Sequence, residues 1–278
     1  MGKTEVPVNP QTVVVLSGLD TVLSLGTKPV GWVTFGVYDD YLENEVEGVE
    51  SVGSYPDPNL EAIVSTKPDL ILGTKSGEEK NYELLSQIAP TVIVDIDSSG
   101  DWKKLLNRYA EVLGRTDKAE QVMADYYARI EEFQAQMSDH LDSTEVSIVK
   151  VNSDDIEIYL EESFCGTVVA DAGLPRPPHQ ENTEQTFSMA ISKELLHKAD
   201  GDAIFVWTGG RSEEAAGKTI TAWQQLKDDP LWSKLNAVQQ GKVYDVPKYW
   251  LGMGPIAANL VLDDLFKYLV DSPSQASQ

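Results

Sequence analysis

Short apolar runs alternate with helical patterns over the first 100 residues. Residues 12–16 are dominated by β-branched side chains, which is typical of a strand buried on both faces of a parallel sheet. Similar runs follow at residues 29–33, 69–72 and 91–94, and amphipathic segments separate them. Because strands and helices alternate, the pattern predicts an α/β lobe over residues 1–100.

The next segment is helical throughout. Apolar residues recur at helical spacing over residues 102–113 and again over residues 117–138, with Gly114 between the two stretches. A helix over residues 117–138 would be about 30 Å long at about 1.5 Å per residue. That length suits a helix joining two lobes, so we expect residues 101–140 to form a connecting region.

Alternation returns over residues 141–278, which we expect to form a second α/β lobe. Strand-like runs occupy residues 146–151, 156–160, 202–207 and 243–246. Pro255 is placed to begin a final helix that reaches residue 270. The predicted architecture is two Rossmann-like α/β lobes bridged by one long α-helix.

Charge and composition exclude several functions. Lys and Arg total 22 against 45 Asp and Glu, a formal charge of −23, so the chain would repel nucleic acid and anionic membranes. Hydrophobic residues make up 41% of the chain, which argues against disorder. One cysteine excludes a disulfide framework, and no apolar run is long enough to span a bilayer.

Catalytic and metal-binding motifs are weak. His140, His179 and His197 lie far apart in the sequence, and none pairs with another at metal-ligand spacing. Neither a phosphate-binding glycine loop nor a nucleophile elbow is present. Cys165 opens a predicted helix, where a reactive thiolate is one interpretation, although a small buried hydrophobic residue is the favoured one.

The placement of cations is more informative. The chain has five arginines, and Arg176 and Arg211 fall in loops of the second lobe, while Lys75 lies in a predicted loop, residues 73–77, that follows a strand of the first. Ligands of open α/β sheets bind beyond the carboxyl ends of strands, and guanidinium groups bind anionic oxygens. Aromatic residues collect at similar positions: Trp32, Phe35, Tyr55, Trp207, Tyr249 and Trp250. For Trp32 and Trp207, core packing is an equally good explanation.

An ordered series of segments gives the chain a family resemblance over nearly its full length. The sequence resembles the substrate-binding proteins of ABC importers for ferric siderophores, a helical-backbone class that also includes haem and cobalamin binders. The segments that carry the resemblance are residues 13–16, 23–31, 52–53, 58–63, 67–72, 88–92, 187–188, 191–196, 199–200, 202–206, 230–232, 235–238, 241–244, 250 and 254–255.

The resemblance implies a function without chemistry on the ligand. It implies that a monomeric protein holds a ferric siderophore in a groove between its lobes and delivers it to a permease in the inner membrane. No cofactor is implied, because the siderophore itself holds the iron. Such proteins are periplasmic or are lipoproteins at the cell surface, so we expect an export signal and a lipid anchor that this sequence does not include.

The resemblance also implies site residues. The ligand contacts that it suggests are Lys75, Arg176, Arg211, Trp250, Phe187, Tyr55, Ser54, Phe35, Tyr38 and Thr186. Tyr249, one of the aromatic residues collected at the strand ends, is a further candidate. Permease docking would fall on Glu61 and Glu194, although an acid in the first turn of a helix also stabilises the helix dipole. The family often has arginine where this chain has Lys75, and lysine lacks the planar fork.

Hydroxamate or citrate–hydroxamate siderophores fit this mixed lining better than a tris-catecholate. Two alternatives remain open. One is a haem or cobalamin binder of the same fold. The other is a metal-processing enzyme on this scaffold.

Overall fold

Two β-sheets organise the chain, one in each of two units. Unit 1 comprises Met1–Tyr126 with Met253–Ala257, and unit 2 comprises Tyr127–Gly252 with Ala258–Gln278. The structure is a computed structural model, and it describes residues 3–181, 184–210 and 213–271.

The sheet of unit 1 has six strands in the described chain, in the order β4-β3-β2-β1-β5-β6. The strands are β1 (Val13–Val15), β2 (Gly31–Thr34), β3 (Glu50–Ser54), β4 (Asp57–Pro58), β5 (Leu70–Thr74) and β6 (Thr91–Val94). All neighbouring pairs are parallel except β3 with β4. The carboxyl ends of the five parallel strands therefore meet at one edge.

Helices cover both faces of this sheet. They are α1 (Leu19–Ser24), α2 (Leu60–Thr66), α3 (Lys75–Glu78), α4 (Tyr82–Ile88) and α5 (Trp102–Leu113). Val13 and Val15 pack in a cluster with residues of α1 and α5, whereas Val14 and Leu16 pack with residues of α2 and α4. The apolar run of β1 is thus buried on both faces because successive side chains point to opposite sides.

The long helix α6 (Thr116–Met137) has 22 residues, and the division between the units falls within it. Gly114 ends the preceding helix in a left-handed conformation, with a φ of 63°. A residue with a Cβ atom adopts that conformation at a cost, so glycine suits this boundary.

The sheet of unit 2 has five strands in the described chain, in the order β11-β10-β7-β8-β9. The strands are β7 (Val146–Val151), β8 (Ile156–Tyr159), β9 (Ser188–Ile191), β10 (Ala203–Thr208) and β11 (Val243–Asp245). β7, β10 and β11 are mutually parallel, whereas β8 is antiparallel to both of its neighbours.

The helices of unit 2 complete the architecture. They are α7 (Phe164–Asp171), α8 (Pro178–Glu181), α9 (Glu213–Lys227), α10 (Asn236–Gln239) and α11 (Pro255–Leu265), whose first three residues belong to unit 1. Trp223 and Leu226 of α9 share a buried cluster with Val149 and Val206 of the sheet.

The predicted fold class, two α/β lobes with one long helix, is confirmed. The predicted division at residues 100 and 140 stays a prediction, since the units described above share the helical region between those positions. The sequence pattern did not predict β3, β9 or α9. Residues 73–77 were expected to form a loop, whereas β5 continues to Thr74 and a short helix follows at once.

Candidate functional site

The carboxyl edge of the sheet in unit 1 gathers several predicted ligand contacts. Phe35 follows β2, Tyr55 follows β3 and Lys75 follows β5. Because these strands are parallel, the three residues leave the sheet at the same edge. Sequence position after a strand was the signal that predicted this grouping.

The Lys75 ammonium at this edge is paired with a carboxylate. Its Nζ atom lies 3.0 Å from Oδ2 of Asp95, the residue that follows β6, and the two side chains are 41% and 67% exposed. The hydrogen bond to Asp95 raises the pKa of Lys75, and the charges of Glu79 and Asp97 act in the same direction. Lys75 is therefore a charged group in acidic surroundings.

An aromatic pair lies at the same edge. The rings of Phe35 and Tyr55 stack with centroids 4.5 Å apart and planes 19° apart, and both residues are half-buried. Asp39 accepts hydrogen bonds from the Phe35 amide and from the Thr34 hydroxyl, and these bonds stabilise the backbone that carries the Phe35 ring. Burial raises the pKa of Asp39 to about 6. Tyr38, also half-buried, lies in the same turn.

A buried carboxyl supports the segment that carries Lys75. Glu78 is 2% exposed and accepts hydrogen bonds from the Thr74 amide at 2.8 Å and from the Ser17 hydroxyl at 3.3 Å. Burial raises the pKa of Glu78 to about 7. A Cβ atom on Gly77 would lie 3.1 Å from the Tyr55 ring, so this segment also packs against the aromatic pair. Sequence reasoning missed Glu78.

Arg176 in unit 2 has a different environment from Lys75. It is 9% exposed, and its Nη2 atom donates to the Tyr159 carbonyl and to Oε1 of Gln180. Its Nε and Nη1 atoms are buried with no hydrogen-bond partner. Burial lowers the pKa of this guanidinium to about 10. The chain beside Arg176 lies at the amino-terminal end of β7, where the Val146 amide donates a hydrogen bond to the Pro175 carbonyl.

Trp250 is packed inside unit 2. The indole has no exposed surface, stacks on Phe205 with centroids 4.7 Å apart, and donates to Oδ2 of Asp264 at 2.8 Å. The half-buried Tyr249 donates to the same oxygen at 2.8 Å. The family resemblance suggested that Trp250 contacts ligand, yet core packing accounts for its position here.

The remaining predicted contacts of unit 2 are partly accessible. Thr186 is exposed and its carbonyl accepts from the Glu162 amide, while the half-buried Phe187 ring lies 5.5 Å from that of Tyr159. Arg211 lies outside the described residues.

Lys150 is a cation that sequence reasoning missed. Its Nζ atom lies 5.3 Å from the Trp207 ring centroid, 5.9 Å from that of Tyr159 and 3.6 Å from a carboxylate oxygen of Glu157. The signal was present in the sequence, since Lys150 is the one charged residue in the apolar run of β7.

Groups suited to covalent or metal chemistry are not assembled in the described part of the chain. Cys165 is buried, and that burial raises the pKa of its thiol to about 11, which confirms the prediction of a buried hydrophobic residue. Within the described residues, no group of three or more His, Cys, Asp or Glu side chains could hold a metal ion.

A family model for periplasmic binding proteins matches residues 13–250 of the chain. This chain belongs to the periplasmic binding protein family. The family match spans both sheets, including the strand ends at which Lys75 and the aromatic pair lie.

Proteins named for siderophore binding are among those similar to this chain. The chain is 36% identical to the probable siderophore-binding lipoprotein YfiY of Bacillus subtilis, with 97% of this chain and 86% of YfiY covered. The structure of Staphylococcus aureus SirA complexed with staphyloferrin B superposes with a TM-score of 0.86, 29% identity and coverage of 97% and 96%. FeuA of Bacillus subtilis complexed with ferri-bacillibactin gives a TM-score of 0.79 at 25% identity, with 95% and 94% covered.

The two acids predicted for permease docking are exposed. Glu61 lies in the first turn of α2, which is capped by Asn59, whose side chain accepts a hydrogen bond from the Ala62 amide at 3.1 Å. Glu194 lies in the first turn of the 3₁₀ helix Lys193–Ala199, and a hydrogen bond with Ser192 lowers its pKa. Both carboxylates are accessible to a partner.

Proposed function

We propose that this chain is an extracytoplasmic solute-binding protein that captures a ferric siderophore and delivers it to an ABC importer. The observation that carries the proposal is the family match over residues 13–250, together with the relative YfiY, which is named as siderophore-binding and is covered over 86% of its length. Both structures named above hold a siderophore, and each is similar to this chain over at least 94% of both chains. The chain performs no reaction in this proposal, because the siderophore holds the iron and is handed on intact.

The ligand-facing residues that we propose for unit 1 are Lys75, Phe35, Tyr55 and Tyr38. Stacked rings offer a flat apolar surface to the organic part of a siderophore, and an ammonium offers a donor to its oxygens. The siderophores that we favour are of the hydroxamate or citrate–hydroxamate type. A single lysine already paired with Asp95 is poorly matched to a tris-catecholate complex, which carries a threefold negative charge.

For unit 2 we propose ligand contacts by Phe187, Thr186, Tyr249 and Arg211, which are the predicted residues not shown to be core. Arg176 and Trp250 are predicted contacts as well, and their burial now argues that they support the fold instead. The Lys150 ammonium, which lies within 6 Å of two aromatic ring centroids and 3.6 Å from a Glu157 carboxylate oxygen, joins the candidates for contact with an anionic oxygen.

Location and partners follow from the same proposal. The YfiY relative is named as a lipoprotein, and we propose that this protein acts outside the cytoplasmic membrane as a monomer. No helix in the described part of the chain is both long enough and apolar enough to cross a membrane. We propose that Glu61 and Glu194 dock on the permease, since both are exposed acids at helix starts.

Fluorescence titration tests the proposal. The protein is titrated with ferric tris-hydroxamate, ferric citrate–hydroxamate and ferric tris-catecholate complexes, while tryptophan emission is followed. We expect one of the first two to quench emission with a Kd of about 1 µM or tighter, equivalent to about −8.2 kcal/mol. Lys75→Ala should weaken that binding, whereas Lys218→Ala on α9, whose lysine pairs with Glu214 at 2.8 Å, should not.

Two results would overturn the proposal. The first is the absence of quenching by every ferric complex. The second is a Soret shift with haem, or binding of cobalamin, at lower concentration than any siderophore, which would favour the alternative ligand of this fold. Iron-free siderophores serve as the control for quenching by the organic ligand alone.

A further inference from the structure

Lys75 and Asp95 occupy equivalent places on neighbouring strands. Thr74 and Val94 are register partners at the ends of β5 and β6, and the next residue of each strand supplies one member of the ion pair. The 3.0 Å contact between Nζ and Oδ2 therefore bridges two strand ends at the edge of unit 1 where the aromatic pair lies.

The local charge at this ion pair is negative. Glu79 and Asp97 both act on the Lys75 ammonium, in addition to Asp95. One positive charge thus faces three carboxylates. A ligand oxygen that approaches Lys75 meets an ammonium whose charge is already balanced, with further negative charge beside it.

The ion pair between Lys75 and Asp95 contributes little to the stability of the fold. Both side chains are substantially exposed, and ion pairs of this exposure contribute little to stability because water screens them. The exposed position leaves the pair free to act on a charged molecule at this edge instead.

We propose that Asp95 is a specificity-determining residue that selects against anionic ferric complexes by occupying the ammonium of Lys75. The inference rests on the proposed function and names the ligand charge for that site. A complex with negative charge must displace the Asp95 carboxylate from Lys75, whereas a neutral or cationic complex is accepted with the pair intact. Tris-hydroxamate complexes of Fe³⁺ are neutral, because three singly charged hydroxamates balance the ion. Of the two siderophore types favoured above, Asp95 therefore favours the tris-hydroxamates, since ferric citrate–hydroxamate complexes carry negative charge.

The test uses three ferric complexes that share one tris-hydroxamate iron centre and differ in the charge of a pendant group. Ferrioxamine B carries a free amine and is cationic, its acetylated form is neutral, and its succinylated form is anionic. Wild-type protein should bind the anionic form more weakly than the other two. Asp95→Asn should tighten the anionic form by about 3- to 10-fold, weaken the cationic form by a similar factor and leave the neutral form unchanged, with smaller effects in high salt.

Two variants sharpen the result. Glu214→Gln on α9 removes one negative charge from another exposed pair and should leave all three affinities unchanged. The double variant Lys75→Met/Asp95→Asn should lose the gain for the anionic form, because the freed ammonium is absent.

The inference and the proposed function fail in different ways. Equal factors for all three ferrioxamines in Asp95→Asn would overturn the inference. Failure of wild-type protein to bind this series, while it binds another ferric complex, would also overturn it and leave the proposed function standing. Failure to bind any ferric complex would overturn the proposed function.

Discussion

Lys75 of unit 1 and Arg176 of unit 2 were both predicted to be cations in loops that contact an anionic ligand. Lys75 has 41% of its side chain exposed and is paired with a carboxylate. Arg176 is 9% exposed, bonds to a backbone carbonyl and an amide oxygen, and has two buried nitrogens without partners. A loop position in the sequence thus places a cation outside a strand without placing it on the surface.

This difference in exposure indicates a ligand-binding role for Lys75 and a structural role for Arg176. An exposed paired cation can exchange its carboxylate for another anion at small cost, since water screens both arrangements. A buried guanidinium holds together the segments that it bonds, because removing it leaves buried acceptors without donors.

Arg176→Ala should cause the largest loss of stability. It removes a large buried side chain and the donor to the Tyr159 carbonyl and to Gln180. We expect the free energy of unfolding to fall by about 3–5 kcal/mol, measured by urea unfolding. Arg108→Ala removes an exposed arginine of α5 that pairs with Glu111 and should leave the curve unchanged. An unchanged stability with lost siderophore affinity would return Arg176 to the ligand site.

The burial of Arg176 could not be predicted from local sequence. Its partner carbonyl belongs to Tyr159, 17 residues earlier, and that contact exists only once β8 has formed beside β7. Strands with continuous apolar runs were predictable, because burial on both faces demands them. β3 was not, since Val52 is its one buried residue and polar or glycine residues surround it. The edge with Lys75 was predictable because strand ends alone define it.

Glu78→Gln tests the effect of a buried carboxyl group in unit 1. The pKa of Glu78 is raised to about 7 from 4.5, so protonation stabilises the folded state fully below pH 4.5, and this contribution is lost as the pH rises to about 7. Glutamine cannot ionise, so the variant should be more stable than wild type by about 2–3 kcal/mol at pH 8. Thermal unfolding at several pH values measures this.

The pH dependence of the stability gain shows whether the gain in Glu78→Gln comes from removing a buried charge. Among the groups around it, Tyr109 has its pKa raised by burial and by the charge of Glu78, and stays neutral over this range. The advantage of the variant should therefore shrink to nothing near pH 4.5. An advantage that is constant with pH would mean that glutamine improves packing, and the carboxyl would then carry no buried charge at neutral pH.

Trp250→Phe should lower the free energy of unfolding by less than Arg176→Ala does. The change removes the indole donor to Asp264 and part of the ring stacked on Phe205, so we expect a loss of about 2 kcal/mol. Differential scanning calorimetry should show a lower Tm. Tyr249→Phe removes a second donor to the same carboxylate from a half-buried site and should cost less than Trp250→Phe. Full stability with weaker siderophore binding in Trp250→Phe would move this residue to the ligand surface.

Lys75→Met should have the smallest effect on stability and thereby completes the contrast with Arg176. Its ion pair is exposed, and methionine keeps most of the aliphatic stem, so the urea midpoint should coincide with that of wild type. Siderophore affinity should fall in the same protein, because the ammonium is absent. A lower midpoint would show that the pair across the ends of β5 and β6 supports the sheet, and affinity changes in Asp95 variants would then have to be read against that loss.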